Sequence, residues 1–353
     1  MTETVILRRE GAVGRITLNR ADALHALNGA MCAAVLDGLR AWQDDPDVAI
    51  VMIDHADGTR GFCAGGDIRM LAESGAGDAV EARAFFRAEY TMNAAIEAFP
   101  KPYVAFMDGV TMGGGVGLSV HGSHRVATER TLFAMPETGI GLFPDVGGGW
   151  FLPRLPGKLG TWLALTGARL KGVDVRAARV ATHFVPSELL GNLKVQLASA
   201  DYGAGPAEMV GEILNRASHA PPSASFAAHA ETIDACFSHG TAEAIEAALA
   251  ESDDPWAAEQ LKALRSKSPE TVKTALKQMQ RGAACQTFAE NMAMEFRIGW
   301  RKVQSADFAE GVRAVIIDKD QAPKWQHGSL AEVPDGMVEA YFAPLAADEE
   351  LVL

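Results

Sequence analysis

Three shortages narrow what this chain can be. Cysteine is scarce and scattered: Cys32, Cys63, Cys236 and Cys285 are the only four in 353 residues, and no two stand in a C-x-x-C spacing. That argues against a disulfide framework or a cysteine-held zinc site and points to a reducing compartment. Positive charge is short as well. The chain has 32 Lys and Arg against 45 Asp and Glu, a formal charge of -13, with no basic run. Nucleic acid and anionic membrane both need clustered Lys and Arg, so neither is expected as a partner. A small anionic ligand stays open, because backbone N–H groups can hold one. Long apolar runs are also missing. The longest uncharged, glycine-rich stretch, Gly109 to His124, is too short to span a bilayer. The opening MTETVILRREGAVGRITLNR is charged from residue 3 and has no apolar segment, so no signal peptide and a cytoplasmic location are expected.

What is present is an ordinary globular composition, 48% hydrophobic, enough for a sizeable core. ETVILRRE and GRITLNR read as strands joined by a GAVG turn. Met31, Val35, Leu39 and Trp42, spaced 4, 4 and 3, mark a helix over Ala30 to Trp42. VAIVMIDH is a strand buried on both faces. GTRGFCAGGDIRML is a glycine-rich loop, and a long helix is predicted from about Asp78 to Ala98. PYVAFMDG is the next strand, MGGGVGLSVHG a glycine-rich helix start, and HRVATE and TLFAM two short strands. Strand, glycine-rich loop and helix thus recur, which predicts an α/β protein with ligand loops at the carboxyl ends of strands. Beyond Tyr202 the texture changes. DYGAGP and HAPPSAS look like linkers, and the rest is mostly helical, so the expected division is 1–202 and 203–353. Phe288, Met292, Phe296, Trp300 and Val303 form an apolar stripe there, read as core or as a docking face.

Two features invite chemistry. In PETGIGLFPDVGGGWFLPRL, Glu137 and Asp145 sit among apolar residues and glycines, with no basic residue until Arg154. A buried, unpaired carboxylate costs several kcal/mol or takes up a proton. The segment is therefore exposed, or its acids are paired from elsewhere, or they do chemistry. Read locally, Asp145 after Pro144 is also a helix N-cap candidate. The second feature is the pair of glycine loops, FCAGGDI and TMGGGVGL. Neither is a P-loop, and the second fails the G-x-G-x-x-G spacing. They serve close backbone packing, or they point two bare N–H groups at one oxygen, an oxyanion hole worth roughly 3 kcal/mol per donor.

ITLNRADALHALN, GFCAGGDI, KPYVAFMDGVTMGGGVGLSV and FAMPETGIGLFPDVGGG, in that order, resemble the crotonase (enoyl-CoA hydratase/isomerase) superfamily. The last of these, with the late DFAEGVRAVIIDKDQAPKW, is most similar to the branch that hydrolyses 3-hydroxyacyl-CoA thioesters. The resemblance implies a crotonase-like spiral of ββα units around a parallel-sheet core, with a mostly helical C-terminal region. It implies an acyl-CoA substrate, no metal and no separate cofactor, and a possible homo-oligomer. It assigns the N–H groups of Gly66 and Gly114 to the thioester oxygen. It puts the adenine end near Leu24, His25 and Ala26, with further contacts from Ala64, Asp67 and Ile68. Hydratases of the superfamily use two glutamates. One matches Glu137; the other would stand three residues after Gly114, where this chain has Gly117. In the hydrolase branch the partner of Glu137 is Asp145, and a glutamate matching Glu89 lines the acyl pocket.

The resemblance therefore implies hydrolysis of a 3-hydroxyacyl-CoA, 3-hydroxyisobutyryl-CoA of valine breakdown foremost. Glu137 would be nucleophile or general base, and Asp145 the acid or orienting group. An enoyl-CoA hydratase or isomerase is the alternative, and a non-catalytic scaffold that kept the fold is the rival of another class. By periodicity alone Glu89, three after Phe86 and four before Asn93, reads as an edge position with solvent access. Cys63 beside the first glycine loop has no histidine placed to activate it and reads as structural.

Overall fold

The computed structural model describes residues 3–203, 205–219 and 223–353, so Ala204 of DYGAGP and residues 220–222 of HAPPSAS lie outside the described residues. The chain forms two compact units. Met1–Gly66, Thr91–Phe133 and Leu170–Ser225 make the first; Asp67–Tyr90, Ala134–Arg169 and Phe226–Leu353 make the second. The units cut the chain differently from a single boundary at 202/203, and the packing below gives the reason.

The first unit carries the sheets. Strands β1 (Val5–Glu10) and β2 (Val13–Leu18) pair antiparallel, with Glu10 opposite Val13. The two-residue connection needs Gly11: its φ is +61°, and a Cβ there would lie 2.4 Å from the Ala198 carbonyl oxygen. β3 (Ile50–His55) continues the sheet in parallel, and five of its six residues are buried, as the apolar run requires. Three strand pairs follow the same plan: β3 and β4 (Gly61–Cys63), β5 (Tyr103–Met107) and β6 (Val110–Met112), β7 (His124–Ala127) and β8 (Leu132–Ala134). The first member of each joins a six-stranded sheet, and the second joins a four-stranded one. β9 (Leu170–Lys171) closes the small sheet and β10 (His183–Phe184) the large one. This is the expected spiral of ββα turns. β4 and β6 sit inside stretches read from the sequence as glycine loops. Three residues are too short to show a strand pattern of their own, and pairing within the small sheet, β4 with β6 and β6 with β8, fixes them.

Val13, Ile50, Met52, Val104, Phe106 and Val126 form one face of the large sheet. Leu190, Leu193 and Leu197 of helix Leu190–Ser199 cover it, together with Val210, Ile213 and Leu214 of helix Pro206–Ala217. Helix Pro206–Ala217 therefore belongs to the sheet's core, although the sequence texture changes before it.

The second unit is helical, and side-chain caps define its main helices. Ser268 accepts from Thr271 N–H ahead of helix Pro269–Ala284, which has Pro269 at its first position. Thr287 accepts from Glu290 N–H, and Glu290 accepts in return from Gln286 N–H, opening helix Phe288–Lys302. Phe288, Met292 and Phe296 of the apolar stripe are buried, so it is core. Trp300 is half-buried under the Arg83 guanidinium, 4.2 Å from the ring centre. A fully buried pair, Lys302 and Glu270, ties these two helices together, and Tyr341 also donates to Glu270. Helix Pro269–Ala284 lies directly on the turn at Gly149: a Cβ on Gly282 would be 1.9 Å from the Gly149 carbonyl oxygen. Gly282→Ala is expected to lose about 1–3 kcal/mol, the usual cost of overpacking, in urea unfolding. An unchanged midpoint would show that the two backbones do not meet this closely.

Candidate active site

The acids of the apolar segment stand at two turns of the second unit. Glu137, after Pro136, opens the short 3-10 turn Glu137–Ile140, and its carbonyl accepts from Leu142 N–H. Gly141 closes that turn at φ +73°, where any Cβ would lie 2.2 Å from the Asp307 carbonyl oxygen. Asp145 follows Pro144 and precedes two left-handed residues, Val146 at φ +50° and Gly147 at φ +86°. A β-branched residue in that region is strained by roughly 1–3 kcal/mol and is held there by its surroundings.

The local expectation that Asp145 caps the next helix is not met. Helix Gly148–Phe151 has Gly147 at its N-cap position, a residue with no side chain to cap with. Glu295, 146 and 148 residues further on in helix Phe288–Lys302, supplies the acceptor. One carboxylate oxygen takes Gly147 N–H at 2.7 Å, and the other takes Gly149 N–H at 2.8 Å. The Gln278 and Asn291 amides also donate to Glu295, at 3.0 and 2.9 Å.

Glu89, Glu137 and Asp145 are 2%, 5% and 5% exposed, which overturns the reading of Glu89 as a solvent-edge residue. Among the described residues none of the three forms an ion pair. Arg154, the first basic residue after them in sequence, lies over the Trp150 ring at 3.5 Å and donates to the carbonyls of Trp150, Gly282 and Cys285. Asp145 alone has a side-chain donor, the Tyr90 hydroxyl at 3.0 Å from Oδ2. Glu89 Oε1 and Glu137 Oε2 are buried without a hydrogen bond.

The electrostatic consequence is direct. Burial holds Glu137 well above the usual carboxylate range, and the charge of Asp145 adds to the effect. Burial does the same to Glu89, with Asp145 and Glu137 both contributing. Burial pushes Asp145 up to about 7, while Tyr90's donation pulls it back. Dry carboxyls in which the charge of one raises another titrate as one set and favour keeping a proton near neutral pH. Tyr90 itself is held well above its ordinary value by burial and by Asp145, so it stays a donor.

The glycine loops lie in the first unit. Gly114 is the first residue of the short helix Gly114–Gly117, a position whose N–H has no partner within the helix. Among the described residues neither Gly66 nor Gly114 donates a turn, loop or cap hydrogen bond. The loops converge: a Cβ on Gly65 would lie 3.8 Å from Gly114 N, and one on Gly115 would lie 2.4 Å from the Cys63 carbonyl oxygen. Only glycine allows that approach. The third segment, Leu24 to Ala26, is tied to the first loop by Ala64 N–H to Leu24 O and Leu27 N–H to Gly65 O. Leu24 and His25 are left-handed, at φ 48° and 58°.

The buried His25 ring is fully used in holding that form. Its Nδ1 accepts from Arg20 N–H, and its Nε2 meets Thr59 Oγ1, whose own proton goes to the Ala56 carbonyl. Burial lowers His25 to about 4, so it is a neutral brace. Cys63 donates to the His25 carbonyl and is structural, as expected. In the second unit Asp67 caps helix Ile68–Gly75 through Met70 N–H, which fixes Ile68 at the first helical position. Sequence reasoning missed Tyr90 and Glu295. Tyr90 adjoins Glu89, and Glu295 stands four after Asn291 on the helix read as core, but no local pattern sets either apart.

The family model for enoyl-CoA hydratase/isomerase matches residues 13–342. The chain is 48% identical to the mitochondrial 3-hydroxyisobutyryl-CoA hydrolase of Rattus norvegicus, over 98% of this chain and 90% of that one. It is 46% identical to the Homo sapiens protein of the same name, with the same coverage. Among solved structures, a carnitinyl-CoA dehydratase from Mycobacterium thermoresistibile is 39% identical with a TM-score of 0.92, covering 99% of both chains. An enoyl-CoA hydratase from Rhodobacter sphaeroides is 42% identical with a TM-score of 0.90, covering 99% of this chain and 100% of that one.

The buried acids set the pH dependence of stability. A carboxyl whose value is raised on folding binds its proton more tightly folded than unfolded. For Asp145 that contribution is full below its ordinary 3.8 and is lost as pH rises through about 7. Wild-type stability should therefore fall between pH 4 and 8. Asp145→Asn, which keeps an acceptor for Tyr90, should be about 1–2 kcal/mol more stable than wild type at pH 7.5 and equal to it near pH 4. Urea unfolding at the two pH values checks this, and a loss of stability at pH 7.5 would mean that Asp145 is not desolvated.

Proposed function

This chain belongs to the enoyl-CoA hydratase/isomerase family, and from that premise we propose that it hydrolyses a 3-hydroxyacyl-CoA thioester, 3-hydroxyisobutyryl-CoA foremost, to the free acid and CoA. The observation that carries the reading is the acid set of the second unit: Glu137 and Asp145 are both buried and, among the described residues, without an ion pair, which favours one proton held between them. Near-full-length identity to proteins named as this hydrolase supports it.

The chemistry has two demands. The tetrahedral intermediate puts a negative charge on the thioester oxygen, and the Gly66 and Gly114 amides of the first unit are the proposed donors. The carbonyl carbon also needs an electron pair. Glu137 supplies it in the form in which the shared proton sits on Asp145: its Oε2 carries no hydrogen bond, and its raised value makes the carboxylate the stronger base. The pair goes to the carbonyl carbon itself, giving a mixed anhydride that water then opens with its proton returning to the Asp145 carboxylate, or to a proton of a water whose oxygen attacks instead. As the C–S bond breaks, the thiolate takes the shared proton from Asp145. A value of about 7 suits a group that gives and regains a proton near neutrality.

Glu89 is proposed to meet the substrate's 3-hydroxyl. Its buried Oε1 has no protein partner, so an acyl group lacking the hydroxyl would leave it unpaired. The backbone around Leu24, His25, Ala26, Ala64, Asp67 and Ile68 is proposed to hold the CoA end. A place in valine breakdown follows from the substrate. A cytoplasmic location is proposed beside this reading; four free cysteines fit a reducing compartment, and the animal relatives are named as mitochondrial.

Hydration is the second reading, favoured by the names of the two similar structures. Against it stands Gly117, buried in the helix Gly114–Gly117 where a hydratase has its second glutamate. Thiol release from 3-hydroxyisobutyryl-, 3-hydroxypropionyl-, acetyl- and crotonyl-CoA separates the two. Hydrolysis predicts thiol, fastest from the first substrate, with kcat down at least about 100-fold in both Glu137→Gln and Asp145→Asn. Loss of the crotonyl double bond without thiol would establish hydration, and inertness towards all four would favour a scaffold. Glu89→Ala should lower kcat/KM for 3-hydroxyisobutyryl-CoA at least about tenfold more than for acetyl-CoA. Equal losses would remove Glu89 from recognition of the hydroxyl.

A further inference from the structure

An aspartate followed two residues later by a glycine N–H ordinarily closes on it. The side chain accepts that N–H, forms an Asx turn and is used up locally. In this protein Asp145 has such a neighbour in Gly147, but the Gly147 N–H is already bonded to Glu295 Oε2 at 2.7 Å. Gly148 N–H goes to the Asp145 carbonyl at 2.8 Å, and Gly149 N–H goes to Glu295 Oε1 at 2.8 Å. The N–H groups of Gly147, Gly148 and Gly149 are therefore all taken. The Asp145 carboxylate is left with Tyr90 as its side-chain donor.

Glu295 is itself fixed from two helices. Gln278 bridges the Pro144 carbonyl and Glu295, and Asn291 sits one helical turn before Glu295. The contact is too tight to drift, since a Cβ on Gly149 would lie 2.6 Å from Asn291 Oδ1 and 3.1 Å from Glu295 Oε1.

We propose that Glu295 is a positioning residue for the hydrolysis: by taking the N–H groups of the 147–149 turn it denies Asp145 its local partner and frees that carboxylate for Tyr90 and for the reaction. This rests on the thioester-hydrolase reading above. The titratable groups facing Glu295 are Asp145, Tyr90 and Cys285; those facing Asp145 are Tyr90, Glu89, Glu137 and Glu295. A glutamine at 295 keeps one acceptor oxygen, which suits the side holding Gly149, Gln278 and Asn291. Its NH2 then faces Gly147 N–H, donor against donor, and Gly147 is released to Asp145.

The test uses the full chain as wild type, Glu295→Gln, Tyr90→Phe and the double variant. In Glu295→Gln, kcat for thiol release should fall about 30- to 100-fold with KM changed less than about threefold, the signature of a misplaced catalytic group. The alkaline limb of the kcat profile, set by Asp145, should move to lower pH, because Asp145 loses a like charge and gains an N–H donor. The double variant should be no worse than Glu295→Gln alone, since both changes act through one carboxylate. A purely structural Glu295 would lower the melting temperature, leave the limb in place and give additive losses, and that result overturns the proposal. A crystal structure of Glu295→Gln decides the same point without turnover. Asp145 bonded to Gly147 N–H supports the proposal, and Asp145 still on Tyr90 with the turn unchanged overturns it. If wild type releases no thiol, the hydrolase reading fails, while the crystal structure still decides whether Glu295 holds Asp145 free.

Discussion

Desolvation of carboxyl groups without a compensating cation is the constraint on which the second unit depends. A surface acid solves its electrostatics with water, and a buried one usually with Arg or Lys. Lys302 and Glu270 show that this unit can bury a paired charge. Glu89, Glu137 and Asp145 are not treated that way. Among the described residues their compensation is protonation, one tyrosine hydroxyl and the backbone N–H groups of Glu137 and Asp145, so the folded protein favours protons that the unfolded chain would release. An arrangement that works against stability near neutrality is readily explained when the same groups must accept and return a proton in a reaction.

Holding it demands support at close quarters. Val146 is kept left-handed, Gly141 and Gly282 let backbones touch, and Glu295 with Gln278 and Asn291 grips the turn from two helices. In the first unit the demand is different in kind. In the proposed reaction nothing there has to be charged, and two amide groups have to be bare. Consecutive strands of the spiral end in glycines that pack within a few ångströms of one another, and a neutral histidine braces the neighbouring Leu24–Ala26 segment.

Much of this was legible in the sequence, because the signals were local. The β3 run, the helices starting near residues 30 and 80 and the apolar stripe at 288–303 all follow from periodicity and burial. Glu137 and Asp145 stood out for a physical reason, acids in an apolar stretch, and both are buried. What the sequence hid was non-local. β4 and β6 exist through pairing within the small sheet, with one another and, for β6, with β8. Glu89 looks like an edge residue until the fold closes over it. Asp145 looks like a helix cap because its true competitor, Glu295, lies about 150 residues away and no short-range pattern links them.

The central claim is that these carboxyls stay protonated far above their ordinary range. Carbon-13 NMR of protein labelled at the Asp and Glu carboxyl carbons, titrated from pH 4 to 9 and assigned with single amide replacements, measures it directly. The account predicts at least one resonance among Glu89, Glu137 and Asp145 still moving near or above pH 7. Complete ionisation of all three below about pH 5, the ordinary carboxylate behaviour, would contradict it.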